Sequence, residues 1–169
     1  MSVVEIRKYP DPRLRKKCKP VVEITPEIYK LIANLIDTMY SESGVGLAAS
    51  QVGVPLRICV IDVRPGGKNK PYILINPQIT KKKGVLMEHE GCLSFPGVSQ
   101  IVKRARNVRV EAINEKGIPV VIEGDELLGR ALQHEIDHLD GKVFIQRMPL
   151  WKRIKVLLEI KKRKKAGLW

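Results

Sequence analysis

Cysteine and histidine are scarce in this chain of 169 residues, at three each, and the scarcity narrows its reading. Cys18, Cys59 and Cys92 are an odd number scattered without a paired framework, which excludes a disulfide-stapled scaffold and suits a reducing compartment where a thiolate stays free for metal. No stretch approaches the roughly eighteen apolar residues of a membrane span. Met1 to Lys8 carries charges and no apolar h-region. Neither a spanning helix nor a signal peptide is expected, so the protein is read as cytoplasmic, without a membrane partner. Acids are also few: 18 Asp and Glu against 31 Lys and Arg leave a net +13, which raises a nucleic-acid partner as one class to weigh. Five Asn and five Gln beside abundant Lys and Glu fit a thermophilic source. The length suits one domain over residues 1–169, with a core that needs no staples.

Against that scarcity, two of the three histidines fall at ligand spacing in Gln133-His134-Glu135-Ile136-Asp137-His138, inside an apolar run from Leu127 to Leu139. At roughly 100° per residue, His134 and His138 lie about 40° apart on a helix, where two imidazoles can share one cation. Glu135 lies about 100° from His134, too far round for a comfortable ligand but within reach of a water on the metal, as a general base. Two core histidines with a chance Glu between them would be the bland alternative. Ligand spacing in a chain with so few histidines argues against it.

A catalytic cation wants three protein donors and one open position. Beyond His138 there is no histidine, and the only acids are Asp140 in the helix-ending turn and Glu159 inside a basic segment. The third donor is therefore sought upstream, where Glu90-Gly91-Cys92-Leu93-Ser94-Phe95-Pro96-Gly97 sets a lone cysteine beside a glycine in a loop-forming stretch. Cys92 has the better setting and His89 is its competitor. Thiolate plus imidazole suits zinc, iron, cobalt or nickel.

Three segments, Gly44-Val45-Gly46-Leu47-Ala48-Ala49-Ser50-Gln51, Glu90-Gly91-Cys92-Leu93-Ser94 and Gln133-His134-Glu135-Ile136-Asp137-His138, resemble the signature motifs of peptide deformylase, in that family's order. The resemblance implies a metal-dependent hydrolase that removes the N-terminal formyl group from formyl-methionine of newly made polypeptides. It also implies ferrous iron in the cell, with zinc, nickel or cobalt able to substitute. By the same resemblance, Cys92, His134 and His138 hold the metal, Gln51 bonds the formyl oxygen and Gly46 offers backbone to the extended peptide. The side-chain amide of Gln51 and the backbone N–H of Leu93 match the oxyanion donors, and Glu90 is a supporting carboxylate paired with Arg104. The chain departs from the family at Gly97-Val98-Ser99-Gln100, because some bacterial members carry near Ser99 an Arg that contacts the peptide.

The pattern around these motifs predicts α+β, with mainly antiparallel sheet around the central helix and a basic C-terminal helix. Residues 1–24 read as extended or irregular. Thr25-Pro26-Glu27 opens a helix carrying Ile28, Leu31, Ile32, Leu35 and Met39 on one side, ending before Gly44. Strands are expected over 57–63, 72–75 and 98–102, and a hairpin over 107–123 turns at Glu115-Lys116-Gly117. Lys81-Lys82-Lys83 reads as a solvated hairpin tip. In the helix that Asp125 caps and Gly141 stops, Leu128, Leu132, Ile136 and Leu139 face away from the histidines. Leu127 and Ala131 fall on the histidine side as walls for an apolar side chain, with Arg130 at its edge facing solvent or a substrate carbonyl.

The mechanism expected from this set is activation of a water by the cation, with Glu135 taking the proton and delivering it to the leaving amine. Two other classes compete. A zinc metallopeptidase would share the His-Glu-x-x-His motif but would cleave unformylated peptide. A metal-stabilised RNA-binding module would use the charge but would need a fourth ligand and leave Glu135 and Gln51 unexplained. Charge concentrates in residues 150–166, where eight Lys and Arg between Lys152 and Lys165 face only Glu159, a net +7. There Leu150, Ile154, Leu157 and Leu158 form an apolar stripe expected to dock on the core, and the basic face is expected to contact ribosomal RNA near the tunnel exit, where nascent substrates emerge.

Overall fold

A computed structural model describes residues 2–169. The helix predicted after Thr25 forms as α1 (Pro26–Ser41), with Pro26 in the first turn, where its missing N–H costs nothing. Seven strands follow around a second helix: β1 (Gly46–Ala48), β2 (Ile58–Ile61), β3 (Tyr72–Lys83), β4 (Leu86–Gly91), β5 (Ser99–Arg104), β6 (Asn107–Ile113), β7 (Pro119–Gly124) and α2 (Glu126–Leu139). The chain closes with α3 (Leu150–Lys165). One antiparallel sheet has the order β1-β2-β3-β6-β7, and β4 and β5 form a separate antiparallel pair.

The five-stranded sheet is sandwiched between α1 and α2, which explains why β2 is apolar at every position. Ile58 and Val60 pack with Ile28, Ile32, Leu35 and Met39 of α1, whereas Cys59 and Ile61 pack with Leu132, Ile136 and Leu139 of α2. Successive side chains leave opposite faces of a strand, so a strand covered on both sides loses its polar alternation. Each such side chain, fully buried, contributes about 1.5–3 kcal/mol. A third cluster, with Phe95, Val98, Val102, Phe144, Ile145 and Met148, fastens the β4-β5 pair and the Cys92 loop to α3.

Several expectations are corrected or refined. The strand expected to end at Ile75 continues as β3 to Lys83, crossing two register shifts against β6, so Lys81-Lys82-Lys83 lies on a strand end and the turn begins at Gly84. Glu90 and Gly91 belong to β4 rather than to a loop, and the irregular segment starts at Cys92. Asp125 holds the cap position of α2 with extended backbone but makes no side-chain cap bond.

The largest difference lies in α3. Its buried residues are Val156 and Ile160, with Leu157 packed beside them, whereas Leu150, Trp151, Ile154 and Leu158 are 69%, 57%, 48% and 56% exposed. The docked stripe is rotated roughly a third of a turn from the expected one. The helix carries two apolar stripes, and the aromatic floor built by Phe95 and Phe144 selects the stripe whose side chains reach it. Arg163 lies over Gly97 in the same contact: a Cβ at Gly97 would stand 2.5 Å from its Nη1. Beyond the helix, Trp169 packs edge-on against Phe95 and donates from Nε1 to the Tyr9 carbonyl at 2.8 Å.

Candidate active site

The site is built first on α2, which is buried along most of its length between the sheet and the β4-β5 pair. One helical turn separates His134 and His138, whose Nε2 atoms stand 3.2 Å apart. Cys92, at the end of β4, brings its Sγ to 3.2 Å from His138 Nε2. All three donor atoms lie within 4.8 Å of one another, and His89, the competing donor, is not among them. Its Nδ1 is instead 3.5 Å from Ser99 Oγ, on the facing strand. Edges of about 3.3–3.6 Å are what nitrogen and sulfur donors need around a tetrahedral ion at ordinary bond lengths, so the trio fits one small cation.

Electrostatics agree. His134 Nδ1 donates to Glu90 Oε1 at 2.5 Å, which turns Nε2 inward towards His138 and Cys92. Burial opposes charge on His134, but Cys92 and Glu90 beside it outweigh burial and raise its pKa, so the site favours positive charge among these groups. Burial and the neighbouring His134 depress His138 well below the usual histidine range, keeping that imidazole neutral as a ligand must be. Burial would raise the Glu90 carboxyl, yet bonds from His134 and Arg104 hold it at about 2.

Behind these donors lies a buried ionic chain that spacing alone did not disclose. Arg104 donates to both oxygens of Glu90, from Nη2 to Oε1 at 2.6 Å and from Nε to Oε2 at 3.0 Å, and also to Asp137. Asp137 in turn receives Arg147 on both oxygens. The pairing of Glu90 with Arg104 was expected; Asp137 and Arg147 were missed. The one signal was a second acid, two residues after Glu135, in a helix expected to pack on the core.

Glu135 projects from the neighbouring position of α2 into the cleft. Burial raises its carboxyl to about 7, its Oε2 has no hydrogen-bond partner among the described residues, and its Oε1 lies where a Cβ on Gly46 would stand 2.5 Å away. Any side chain at Gly46 would push the carboxylate aside, a requirement separate from the substrate contact expected of that glycine. Gln51 sits on the short 3-10 turn after β1. Its Oε1 accepts from Ala48 N at 2.9 Å, which aims Nε2 at Ser94 Oγ, 3.2 Å away, and at Cys92 Sγ, 3.6 Å away. Ser94 was not singled out, although it stands two residues after Cys92. The N-terminal segment closes over this corner: Arg7 N donates to Gln51 O and Tyr9 N to Ser94 O.

These residues open onto a cleft of ≈ 710 Å³, whose lining includes Gly46, Gln51, Leu93, Leu127, Ala131 and Glu135. Leu127 is 42% exposed at its mouth and Ala131 is buried deeper. Arg130 behaves differently from either expectation, since its Nη1 donates to the His89 carbonyl at 2.7 Å and ties α2 to β4.

The profile of the polypeptide deformylase family matches residues 3–153. A peptide deformylase of Endomicrobium trichonymphae is 47% identical over 169 residues, covering 100% of both chains. One from Buchnera aphidicola is 49% identical over 165 residues, covering 98% of each. The crystal structure of a peptide deformylase from Legionella pneumophila superposes with a TM-score of 0.92 at 42% identity over 98% of each chain. Likeness of this extent, in sequence and backbone together, leaves a single assignment: the chain belongs to the polypeptide deformylase family.

Proposed function

We propose that the front cleft hydrolyses the formamide at the N-terminus of formyl-methionyl polypeptides, with residues 1–169 acting as one catalytic domain in the cytoplasm. The chain is an enzyme of its family, whose reaction is removal of the N-formyl group from nascent peptides. The observation that carries the residue assignment is the convergence of Cys92, His134 and His138 beside a buried carboxylate, one oxygen of which has no hydrogen-bond partner among the described residues. These three side chains would hold a divalent cation, Fe²⁺ in our reading, with Zn²⁺, Ni²⁺ or Co²⁺ able to replace it. Bound there, such an ion would supply Lewis acidity and would make the attacking water more acidic.

Every other step falls to the chain itself. Glu135 takes the proton of the attacking water and returns it to the departing amine. Its burial raises the pKa into the working range of a proton carrier. Gln51 Nε2 and the Leu93 backbone N–H hold the oxygen as it gains charge, with Ala48 N fixing the Gln51 amide in the donating orientation. Gly46 presents backbone to the extended peptide. Leu127 and Ala131 wall the pocket for the methionine side chain. Glu90 and Arg104 keep His134 in the tautomer that leaves Nε2 free.

Metal content of single variants tests the ligand set. Cys92→Ala is expected to lose the ion and the activity together, and His89→Ala to keep both. A Cys92→Ala protein that retains stoichiometric metal would remove Cys92 from the set.

We also read the basic surface of α3 as a ribosome contact made through sequence-independent bonds to phosphate. It is supported by the net +7 between Lys152 and Lys165 and by the exposed Trp151, which Lys152 and Lys155 flank at 5.4 and 5.2 Å from its ring centroid. Because Val156, Ile160 and Trp169 anchor this segment to the body, charge reversal rather than truncation is the clean probe. Lys161→Glu with Lys162→Glu and Lys165→Glu should weaken co-sedimentation with ribosomes while sparing hydrolysis of a short formyl-peptide. Unchanged co-sedimentation would leave the face merely solvated.

A further inference from the structure

The tail accounts for +7 of the net +13, and part of the remaining excess converges on the other side of α2 from the active site. There Gln133, Ile136, Asp137 and Asp140 line two adjoining clefts of ≈ 570 and ≈ 320 Å³. The clefts share Ile79, Lys82, Asp137 and Arg147, so they form one trough. Into it project Lys17 from the N-terminal segment, Lys82 from the end of β3, Lys103 from β5, and Lys142 with Arg147 from the turns after α2. Separate stretches of sequence thus deliver cations to one depression.

The pairing state of these cations is informative. Arg57 and Arg147 lean on Asp140 and Asp137, but none of Lys17, Lys82, Lys103 or Lys142 has a carboxylate within 4.0 Å among the described residues. All four are exposed, so nothing holds them there except the strands and turns beneath. The catalytic cleft has the opposite balance, with Glu42, Glu90 and Glu135 against Arg130 in its lining. Lysines that gather without counter-ions raise the local potential and attract a polyanion. Their arrangement in a trough, rather than across a flat face, suits a narrow chain of phosphates better than a planar lipid surface.

We infer that this rear trough is a second polyanion site, in which Lys17, Lys82, Lys103 and Lys142 bind successive phosphates of an RNA backbone. It goes beyond the reading of α3 and does not depend on it. Arg147 lies three residues ahead of Leu150, where α3 begins, so the chain passes directly from the trough into the basic helix. The contacts are to phosphate and carry no sequence preference.

The test uses the full-length, metal-loaded protein and a short fluorescent single-stranded RNA of mixed sequence, titrated across a potassium chloride series. Three triple charge reversals are compared: Lys17, Lys82 and Lys142 to Glu in the trough; Lys161, Lys162 and Lys165 to Glu in α3; and Lys30, Lys68 and Lys116 to Glu at remote exposed positions. The trough variant should bind at least about tenfold more weakly and lower the slope of log K against log salt by roughly 2, as losing two or three phosphate contacts requires. The remote variant, with the same change in net charge, should lose less than about threefold. Arg at the same three trough positions should bind like the parent, which separates charge from damage to the fold. The α3 variant reports on the tail alone, so either site can fail without the other. Loss in the trough variant no greater than in the remote one, loss in the Arg variant, or dependence of these lysines only on phosphatidylglycerol vesicles would each overturn the inference.

Discussion

Helices α2 and α3 are close in length, and the fold treats them in opposite ways. Ten of the fourteen residues of α2 are buried, including His134, Glu135, Asp137 and His138. Only two of the sixteen in α3 are buried, and its larger apolar side chains face outward. Polar groups inside α2 are tolerated because each is either paired or used. Gln133 bonds the backbone of Ala105, Asp137 is clamped by two arginines, and the histidines face Cys92. In α3 the charges need no partner because water supplies it. A helix reveals its role less by how amphipathic it is than by which of its residues are covered against their own preference.

Substitutions should separate the two helices over a wide range of effect. The largest is expected at Glu135→Ala, which removes the proposed proton carrier and none of the proposed ligands: kcat should fall by roughly 10²–10⁴ with metal content unchanged. Near-parent turnover in this variant would take Glu135 out of the mechanism. Next is Arg104→Met, which leaves Glu90 with His134 and Asp137 with Arg147 as their remaining partners and should cost about 3–5 kcal/mol in urea unfolding. A cost below about 1 kcal/mol would mean that water compensates those carboxylates. Leu132→Ala, in the core under α2, should cost about 2–5 kcal/mol. The smallest effect is expected at Leu158→Ala on the outer stripe of α3, within about 0.5 kcal/mol of the parent by thermal or urea unfolding. A loss as large as that at Leu132 would show that this stripe is covered in solution, against its outward orientation in the fold.

What could be read before the fold was known follows the same division. His134 and His138 were legible because one helical turn joins them, and Cys92 because the chain offers few competing donors. The strand at β2 was legible, but its burial on both faces was not drawn from its unbroken apolar run, which carries that signal. The length of β3 did not, since Gln78-Ile79-Thr80-Lys81-Lys82-Lys83 lacks apolar alternation and is held extended by pairing with β6. The orientation of α3 was beyond periodicity as well, because two stripes competed and Phe95 and Phe144, distant in sequence, decided between them. The Arg104–Asp137–Arg147 chain joins residues from β5, α2 and the turn before α3, and no local pattern links them.

Everything above turns on whether the cation-binding face of α2 performs formamide hydrolysis and not endopeptidase chemistry. The decisive measurement is formate release from formyl-Met-Ala-Ser by protein reloaded with Fe²⁺ under anaerobic conditions, alongside Met-Ala-Ser at equal concentration. Formamide hydrolysis predicts stoichiometric formate with an intact Met-Ala-Ser product, loss of the reaction on chelation and its return on adding metal. Cleavage of the unformylated peptide, or formate release that survives full removal of the metal, would contradict it.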